Sequence, residues 1–553
     1  MSGFTLSNVF RTVASAVPDR DFLVHRDDRR TYADADARID GFASFLLARG
    51  HGCHIERDRL AGHESGQDHV GLYLRNGAAY VEAMLGACRA RAAAFNVNYR
   101  YVREELAYLL TDADTKVLVY HADFAPMVAE IREAFPSLLL VQVSDESGNA
   151  LLPGAVDFEE ALRTPVPSEG LPQDTEDDLY ILYTGGTTGM PKGVLWRQDD
   201  IYVTSMGGTP FGSNEPLASY AALREHAASG AAAMRLVQPL PFMHGSAQWS
   251  VFHAITGGGT VVLPHDVRHY DAADVLRTAI REGCMSLPVV GDAVARPLID
   301  EIERGGHDLS GIAVIGNGGA PLTPTIKSRL LELMPHVVIM DALGSSETGM
   351  QMRSMSTVGS SDEAAIFTPE PTTTVLDDSR SRVLGPGDGE GWLAQRGRVP
   401  LGYLGDAEKT RATFPVIDGV RWSAPGDRAR LLEDGRIELF GREGITINSG
   451  GEKIFVEEVE RALIAHPAVR DVLVVGRPSD RWGSEPVAIV QIADDVEVDD
   501  EDLLVECRRH VAGYKVPREI IRVPQVLRSP AGKADYRWAK ARAVEPTADS
   551  TAV

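Results

Sequence analysis

The chain has 553 residues, of which 44% are hydrophobic and 24% charged, and its formal net charge is -24. This length and composition predict several structural units with ample core, and the acidic charge argues against nucleic acid or an anionic membrane surface as a partner. The four cysteines have no metal-ligand spacing, so we expect neither a disulfide framework nor a zinc site, and a cytoplasmic protein fits. Without a basic-then-apolar leader or an 18-residue apolar run, we expect no membrane insertion.

Alternating helices and strands are predicted for the first 143 residues. Residues 7–50 follow the pattern of a helix, a short strand and a second helix. Further strands are predicted at 70–74, 116–120 and 138–143, each next to a helical pattern. Asn76 stands where a helix N-cap is expected. This alternation favours an α/β fold of parallel sheets covered by helices.

The most distinctive stretch is Tyr-Thr-Gly-Gly-Thr-Thr-Gly-Met-Pro-Lys-Gly at 183–193, which follows a predicted buried strand at 179–182. Uncovered backbone N–H groups, hydroxyl groups and Lys192 suit a polyphosphate, and the glycines allow a close approach of the backbone. A Walker A loop is excluded, because Pro191 precedes the lysine and Gly193 follows it.

Two further loops of similar composition follow later predicted strands. Residues 208–234 look like an insertion with an Ala-rich helix at 217–233, and strands are predicted at 260–263, 312–315 and 337–340. The loop at 316–321 follows the second of these strands, and the loop at 341–349, which contains Glu347, follows the third. Since ligands lie beyond the carboxyl ends of parallel strands, the three loops predict one shared site.

The pattern changes after about residue 385 to Gly-rich turns and short alternating strands. Residues 428–432 and 437–440 predict a hairpin with an Asp-Gly turn. Beyond a linker at 441–444 we predict helices at 456–466 and 502–512 and a strand at 472–475. These elements suggest a separate α+β unit of roughly 100 residues.

Several motifs, in the same order along the chain, resemble those of the adenylate-forming superfamily, which includes acyl-CoA synthetases, adenylation domains and beetle luciferases. They are the loop at 183–193, Gly-Ser-Ser-Glu-Thr-Gly at 344–349, Pro-Gly-Asp at 425–427, Asn-Ser-Gly-Gly-Glu-Lys at 448–453 and Ser-Pro-Ala-Gly-Lys at 529–533. The sequence is most similar to actinobacterial ligases for fatty and steroid side-chain acids. Three positions depart from the superfamily pattern, which has Ser at Gly185, an aromatic residue at Leu343 and often Asp or Lys at Gly444.

The resemblance implies a division of the chain. It has a large N-terminal AMP-binding domain at 1–441, in which parallel-rich sheets are covered by helices and a small β-rich subdomain occupies about 385–441. A hinge at 442–446 leads to a small mobile C-terminal α+β domain at 447–553.

The resemblance also implies the site residues. Catalysis is assigned to Lys533, Glu347, Lys192 and Thr187. Contacts to ATP and CoA are assigned to Thr184, Gly185, Gly186, Thr188, Gly189, Gly318, Gly319, Asp341, Leu343, Gly344, Ser346, Asp427, Arg442, Gly450 and Gly451. The acid is expected to contact His244, Gly245, Trp249, Gly291 and Asn317, together with Phe242 and Ser246. Glu347 is the expected Mg²⁺ ligand, since a carboxylate suits a hard cation that also binds phosphate oxygens.

The expected activity is the joining of a bulky hydrophobic acid to CoA with ATP, through an acyl-AMP intermediate. Lys533 would offset the repulsion between the carboxylate and the phosphate. Three alternatives stay open: an enzyme for one half-reaction, an enzyme that loads a carrier protein, and a non-catalytic acyl or nucleotide sensor. The expected partners are the acid, ATP and CoA, and a homodimer is a further open alternative.

Overall fold

Four sheets organise the residues that a computed structural model of the protein describes. They are residues 3–184, 190–213, 215–320, 322–360, 365–449, 452–479, 482–494, 496–511, 513–528 and 532–544. Within those ranges, no helix is long and apolar enough to cross a bilayer.

The first part of the chain alternates between helix and strand, as predicted. The helices are α1 (Leu6–Ala16), α2 (Tyr32–Leu47), α3 (Ala78–Arg89), α4 (Arg103–Asp112), α5 (Ala125–Ile131) and α6 (Phe158–Ala161). The strands are β1 (Asp21–His25), β2 (Asp28–Thr31), β3 (His69–Tyr73), β4 (Ala93–Asn96), β5 (Thr115–His121), β6 (Leu139–Val143), β7 (Val156–Asp157) and β8 (Leu179–Thr184).

The same alternation continues through the middle of the chain. Its strands are β9 (Lys192–Arg197), β10 (Arg235–Val237), β11 (Thr260–Leu263), β12 (Ser286–Val289), β13 (Val314–Gly318), β14 (Val338–Ser345) and β15 (Gly349–Ser356). Its helices are α7 (Gln198–Ser205), α8 (Tyr220–Ser229), α9 (Gly245–Thr256), α10 (Ala272–Arg281), α11 (Gly291–Arg304) and α12 (Pro324–Leu333).

Short strands dominate the next section, which contains β16 (Ile366–Pro369), β17 (Thr373–Leu376), β18 (Glu390–Arg396), β19 (Gly402–Tyr403), α13 (Ala407–Thr413), β20 (Val416–Ile417), β21 (Val420–Ser423), β22 (Asp427–Leu431) and β23 (Ile437–Arg442). The C-terminal section contains β24 (Ile447–Ser449), β25 (Glu452–Ile454), α14 (Val456–Ile464), β26 (Val469–Ser479), β27 (Gly483–Ile492), α15 (Asp500–His510), β28 (Glu519–Arg522) and α16 (Tyr536–Val544).

The two large sheets are mixed rather than purely parallel. One has the order β19-β9-β8-β4-β3-β5-β6-β7, and the other runs from β2 through β11, β13 and β14 to β15 and on into the short strands. β8 pairs antiparallel with β9, and β14 pairs antiparallel with β15. Two of the three predicted site loops are therefore hairpin connections, whereas the loop after β13 leads to α12 as a parallel crossover would.

Local sequence explains some of the helix ends, whereas one predicted cap is wrong. Ser219 caps α8 by accepting the N–H of Ala222, and Gly230 ends that helix in the left-handed region. Asn76 is not the cap of α3, which begins after Gly77. Its side chain instead donates to the Leu240 carbonyl at 2.8 Å and accepts the Phe242 N–H at 2.7 Å, so tertiary contacts take precedence over capping.

The C-terminal section has a core of its own. A three-stranded sheet, β26-β27-β28, packs against α14, α15 and α16, and buried side chains such as Val459, Val474 and Leu503 fill the space between them. The predicted hairpin is confirmed, since Leu431 pairs with Ile437 across a turn in which Gly435 has φ of 83°. The N-terminal prediction of one short strand is wrong, because β1 and β2 form a two-stranded hairpin there.

Candidate active site

A cavity of about 1590 Å³ is lined both by the large sheets and by the C-terminal section. Thr184 at the end of β8, Gly318 at the end of β13 and Leu343 on β14 line it, together with Gly444 and Lys533. Ligand pockets are commonly about 300–1,000 Å³, so this cavity has room for more than one drug-sized group.

The phosphate loop is described at its two ends. Thr184 lines the cavity, and so do Met190 and Pro191. Gly185, Gly186, Thr187, Thr188 and Gly189 lie outside the described residues, so their predicted roles stay predictions. After the loop, the Lys192 ammonium pairs with the Asp406 carboxylate, and this contact raises the pKa of Lys192 above its ordinary value. The lysine is thus a fixed positive charge at the exit of the loop.

Glu347 lies in the β14–β15 turn, whose geometry depends on glycine. A Cβ at Gly344 would lie 2.1 Å from the Gly349 carbonyl oxygen, so only glycine fits there. The Tyr403 hydroxyl donates to Glu347 Oε1 at 2.9 Å, and the Ser423 hydroxyl donates to the Glu347 carbonyl at 2.6 Å. Ser346 lines the cavity, and its carbonyl accepts the Trp196 indole N–H at 2.8 Å. Glu347 is therefore held both at its carboxylate and at its backbone carbonyl.

The donor set around Glu347 fits magnesium rather than a protein-enclosed metal. Within the described ranges, no group of three or more His, Cys, Asp or Glu side chains could hold a metal ion. Magnesium is usually bound by one or two carboxylates together with substrate phosphates and water, so a single fixed carboxylate such as Glu347 is compatible with it.

Asp341 is buried and binds two neighbouring side chains. Its carboxylate accepts the Asn317 amide at 2.7 Å and forms an ion pair with the buried Lys327 at 2.6 Å. Asn317 in turn accepts the Gly291 N–H at 2.7 Å. Asn317 lines the cavity whereas Asp341 and Gly291 do not, so the described geometry has Asp341 orienting Asn317. A direct contact of Asp341 with adenine stays a prediction.

The other predicted adenine-side residues border the cavity. Gly318, Gly319 and Leu343 all line it. A Cβ at Gly318 would meet only the Ala342 carbonyl oxygen at 3.6 Å, whereas Gly319 has φ of 86° and would be strained with a side chain. The end of β13 therefore borders the cavity with backbone that carries no side chain.

Asp427 and Arg442 pair where the short-stranded section meets the predicted hinge. Arg442 Nε donates to Asp427 Oδ1 at 3.3 Å. The charges of Asp427 and Glu347 raise the pKa of Arg442, although burial opposes them. Two predicted functional carboxylates therefore lie within electrostatic range of one guanidinium.

A carboxylate of the C-terminal section packs against the same segment. Glu457 at the start of α14 accepts the Arg442 N–H at 3.4 Å, and a Cβ at Gly441 would lie 2.3 Å from Glu457 Oε2. Burial, with the nearby Asp427 charge, raises the pKa of Glu457 to about 7, although the Arg442 N–H opposes this. This arrangement requires glycine at position 441 and favours the protonated form of Glu457.

Lys533 reaches the cavity from the C-terminal section. Gly532 has φ of 73°, and a Cβ there would lie 2.9 Å from the Val290 carbonyl oxygen, so the backbone meets α11 closely. Arg528 holds the start of this segment through two 2.7 Å contacts to Asp471. Residues 529–531 lie outside the described part of the chain.

The electrostatic surroundings of Lys533 connect it to the other predicted residues. The side chain is accessible from the cavity but enclosed by protein on several sides. This burial and the charge of Arg442 lower the pKa of Lys533, and the Glu347 carboxylate opposes them. The structure thus brings together Lys533, Arg442 and Glu347, which lie far apart in the sequence.

The acid-side predictions fall into two groups. His244, Gly245, Ser246, Trp249 and Asn317 line the cavity, whereas Phe242 packs on Tyr80 and, like Gly291, lies outside the lining. Burial, aided by Lys533 and Arg100, lowers the pKa of His244 to about 3, so the imidazole is neutral at pH 7. Its buried Nε2 has no hydrogen-bond partner in the part of the chain that the structure describes.

Beyond His244 the lining is largely apolar. It includes Leu236, Leu240, Met243, Pro288, Val289, Val314, Val338, Met340, Met350 and Met355. Phe211 and His253 pack together at 4.9 Å between ring centroids and also line the cavity. Val314 pairs with Val338 at the starts of β13 and β14, which form an apolar end of the cavity. The ends of those strands lead towards Glu347, which is in electrostatic range of Lys533, so this second end is charged.

The sequence did not predict several residues that support the site. Tyr403 and Asp406 orient Glu347 and Lys192, Lys327 pairs with Asp341, and Arg528 holds the segment of Lys533. Asp406 had a sequence indication, since it precedes a helix and caps α13 by accepting the Lys409 N–H at 2.9 Å. Gly450 and Gly451 lie outside the described residues, so their predicted CoA contact stays a prediction.

Two family models match the chain. The model described as AMP-binding enzyme matches residues 10–404, and the model described as AMP-binding enzyme C-terminal domain matches residues 458–533. The chain belongs to the AMP-binding enzyme family. It is an adenylate-forming ligase, as the motifs predicted.

Relatives match this ligase along almost the whole of both chains. A medium-chain acyl-CoA ligase, Mig, of Mycobacterium avium is 54% identical over 545 residues, which are 98% of this chain and 99% of the relative. A medium/long-chain-fatty-acid/3-oxocholest-4-en-26-oate CoA ligase of Mycolicibacterium smegmatis is 39% identical, with 97% and 95% covered. A 3-oxocholest-4-en-26-oate CoA ligase of Rhodococcus rhodochrous is 38% identical, with 95% and 93% covered.

Solved structures confirm the predicted fold class. The anthranilate CoA ligase AuaEII, in complex with anthranoyl-AMP, has a TM-score of 0.80 at 21% identity, and the match covers 98% of this chain and 98% of that chain. A Mycobacterium tuberculosis fatty acyl CoA synthetase has a TM-score of 0.70 at 22% identity, with 97% of this ligase and 98% of that chain covered. At these identities the likeness shows the fold alone.

Proposed function

We propose that this ligase joins a medium-chain, long-chain or polycyclic hydrophobic acid to CoA, with acyl-AMP as the intermediate. One observation carries the proposal: a single cavity of about 1590 Å³ has charged groups at one end and methionine, valine and leucine side chains at the other. The fatty-acid and steroid-acid relatives support the same substrate class.

In the first half-reaction, a carboxylate oxygen of the acid attacks the α-phosphorus of ATP, and pyrophosphate leaves. Lys533 lines the cavity within electrostatic range of both His244 and Glu347, and the carboxylate and the α-phosphate would meet beside it. An ammonium group at that point offsets the repulsion between two anions. Lys192 at the loop exit would bind the leaving phosphates, while Asp427 would accept the ribose hydroxyls.

Magnesium, when bound, would offset negative charge on the phosphates, and Glu347 would be its protein ligand. The Glu347 carboxylate suits that role because Tyr403 restricts it to one position. Thr187, which lies outside the described residues, is the further proposed contact to the phosphates.

In the second half-reaction, the C-terminal domain at 447–553 would turn about the hinge at 442–446. The turn would withdraw Lys533 and bring Gly450 and Gly451 to the cavity. The CoA thiolate would then attack the acyl carbonyl, and AMP would leave with the electrons of the broken bond. Neutral His244 would form the wall between the acid and the thiol without adding a charge.

The experiment is pyrophosphate exchange with a panel of acids, from short-chain to C18 fatty acids and steroid acids, with thioester measured separately. We expect exchange and thioester to peak together at hydrophobic acids of eight or more carbons. A peak at short polar acids would contradict the substrate class. Exchange that is silent with every acid, alongside thioester formation from supplied acyl-AMP, would assign only the second half-reaction.

A further inference from the structure

We propose that the corner at Gly402–Asp406, which consists of β19 and the residues that lead into α13, positions two groups of opposite charge on either side of the phosphates. Tyr403 orients Glu347, and Asp406 holds Lys192. This proposal rests on the proposed function, because Glu347 and Lys192 are taken there as the magnesium and phosphate ligands.

The Tyr403 contact is rigid. Its side chain is only 3% exposed, and its hydroxyl donates to Glu347 Oε1 at 2.9 Å. The ring is fixed from two sides, by Phe414 at 5.7 Å between ring centroids and by the Lys409 ammonium at 4.3 Å from the centroid. Rotation of the Glu347 carboxylate would therefore break a buried hydrogen bond.

The Asp406 contact is rigid for a different reason. One carboxylate oxygen accepts the Lys409 N–H at 2.9 Å and caps α13, while the other contacts Lys192. Because the cap fixes the carboxylate, the lysine partner has a fixed position too. The pair is partly exposed, with 37% of the Lys192 side chain and 25% of Asp406 accessible, so phosphate oxygens can approach the ammonium.

The backbone ties the corner to the phosphate loop. Gly402 and Tyr403 pair with Leu195 and Val194 of β9, the strand that begins at Lys192. The Leu404 N–H donates to the Gly193 carbonyl at 2.8 Å. A displacement of the corner would therefore move the loop exit and the Glu347 carboxylate together. Partners that orient metal ligands are typically worth about 10–100-fold in metal affinity or activity.

The test separates the two contacts by titrating ATP, without acid, into wild type, Tyr403→Phe and Asp406→Asn, each with Mg²⁺ and with EDTA. Calorimetric binding does not require turnover. We expect Tyr403→Phe to weaken ATP binding about tenfold in the presence of Mg²⁺ and to leave the affinity measured in EDTA unchanged. Asp406→Asn keeps a side-chain oxygen that can cap α13, and we expect this variant to bind ATP more weakly in both conditions.

A second step distinguishes positioning from a structural role. In a Glu347→Gln background, Tyr403→Phe should lose its effect, and in a Lys192→Met background Asp406→Asn should lose its effect, because coupled pairs are non-additive. Tyr120→Phe removes a similar buried hydroxyl contact, to Gln142 at 2.9 Å, outside the cavity lining, and is the matched control for folding.

Equal weakening by Tyr403→Phe with and without Mg²⁺, full additivity, or unchanged binding by both variants would overturn the proposal. Failure of wild type to bind ATP at all would instead overturn the proposed function. The two failures are therefore distinguishable.

Discussion

The two ends of the cavity are built differently. Near the charged end, charged side chains are held in place by other polar groups, as Glu347 is by Tyr403 and Lys192 is by Asp406. At the apolar end, flexible or branched side chains such as Met340 and Val338 form the walls. The difference suggests that reaction chemistry depends on fixed charges, whereas choice of acid depends on side-chain volume. Four predictions test that division, from the largest expected effect to the smallest.

Removal of the Lys533 ammonium should affect the first half-reaction alone. Lys533→Ala should lower pyrophosphate exchange about 100-fold to 1,000-fold, the range for one group that stabilises transition-state charge. Thioester formation from supplied acyl-AMP should change less than about threefold. Stopped-flow assays of the two half-reactions would measure both rates.

Lys515→Ala is the matched control for that experiment. Lys515 belongs to the same C-terminal section but pairs with Glu458 at 2.7 Å and does not line the cavity. Equal loss of both half-reactions in Lys533→Ala would contradict the assigned role.

Narrowing the apolar end should change the choice of acid and leave the chemistry intact. Val338→Phe adds volume to the lining, and we expect kcat/KM for the bulkiest accepted acid to fall about 10-fold to 200-fold, while octanoate is little affected. Val358→Phe, at a position that is 59% exposed, controls for the substitution itself. A uniform loss for all acids would show that this wall does not select the substrate.

The proposed turn of the C-terminal section should depend on pH through Glu457. Burial raises its pKa to about 7 in the described arrangement, so protonation stabilises that arrangement. This stabilisation is fully present below the ordinary glutamate pKa and is lost as pH rises to 7. From pH 5 to 7 the equilibrium should therefore shift away from the described arrangement by up to about tenfold per unit, and stay level above pH 7.

A fluorescence donor and acceptor on the two domains would report this shift. Glu457→Gln should remove the slope, whereas Glu458→Gln, on the same helix but paired with Lys515, should keep it. An unchanged slope in Glu457→Gln would assign the pH response to another group.

An aromatic residue at 343 should improve nucleotide binding slightly. Leu343 lines the cavity beside β13, and Leu343→Tyr should lower the KM for ATP about threefold to tenfold through stacking on adenine. Leu151→Tyr, at a position that is 46% exposed, is the matched control. A higher KM would indicate that the aliphatic side chain leaves space that the nucleotide needs.

Candidate site residues could be predicted from sequence where several residues together form a motif. The Gly-rich loop, Glu347 and Lys533 were predicted from motifs, and the structure brings Lys533 into electrostatic range of Glu347. Supporting residues such as Tyr403 and Lys327 are harder to predict, since a buried tyrosine or lysine acquires its role only through tertiary contacts.

The fold shows the same limit. Periodicity predicted the alternation of helices and strands, but it did not show that β9 and β15 return antiparallel, because strand direction is set by pairing rather than by local pattern. Asn76 was misassigned as a helix cap for a similar reason, since its partners at Leu240 and Phe242 lie more than 160 residues away.

The central claim is that one cavity holds the nucleotide and the acid next to each other. Its most direct test is calorimetric binding of a non-hydrolysable acyl-adenylate analogue, an acyl sulfamoyl adenosine, compared with AMP and with the free acid. We expect the analogue to bind at least about 1,000-fold tighter than either part, since one molecule then occupies both ends of the cavity. An analogue that binds no tighter than AMP would contradict it.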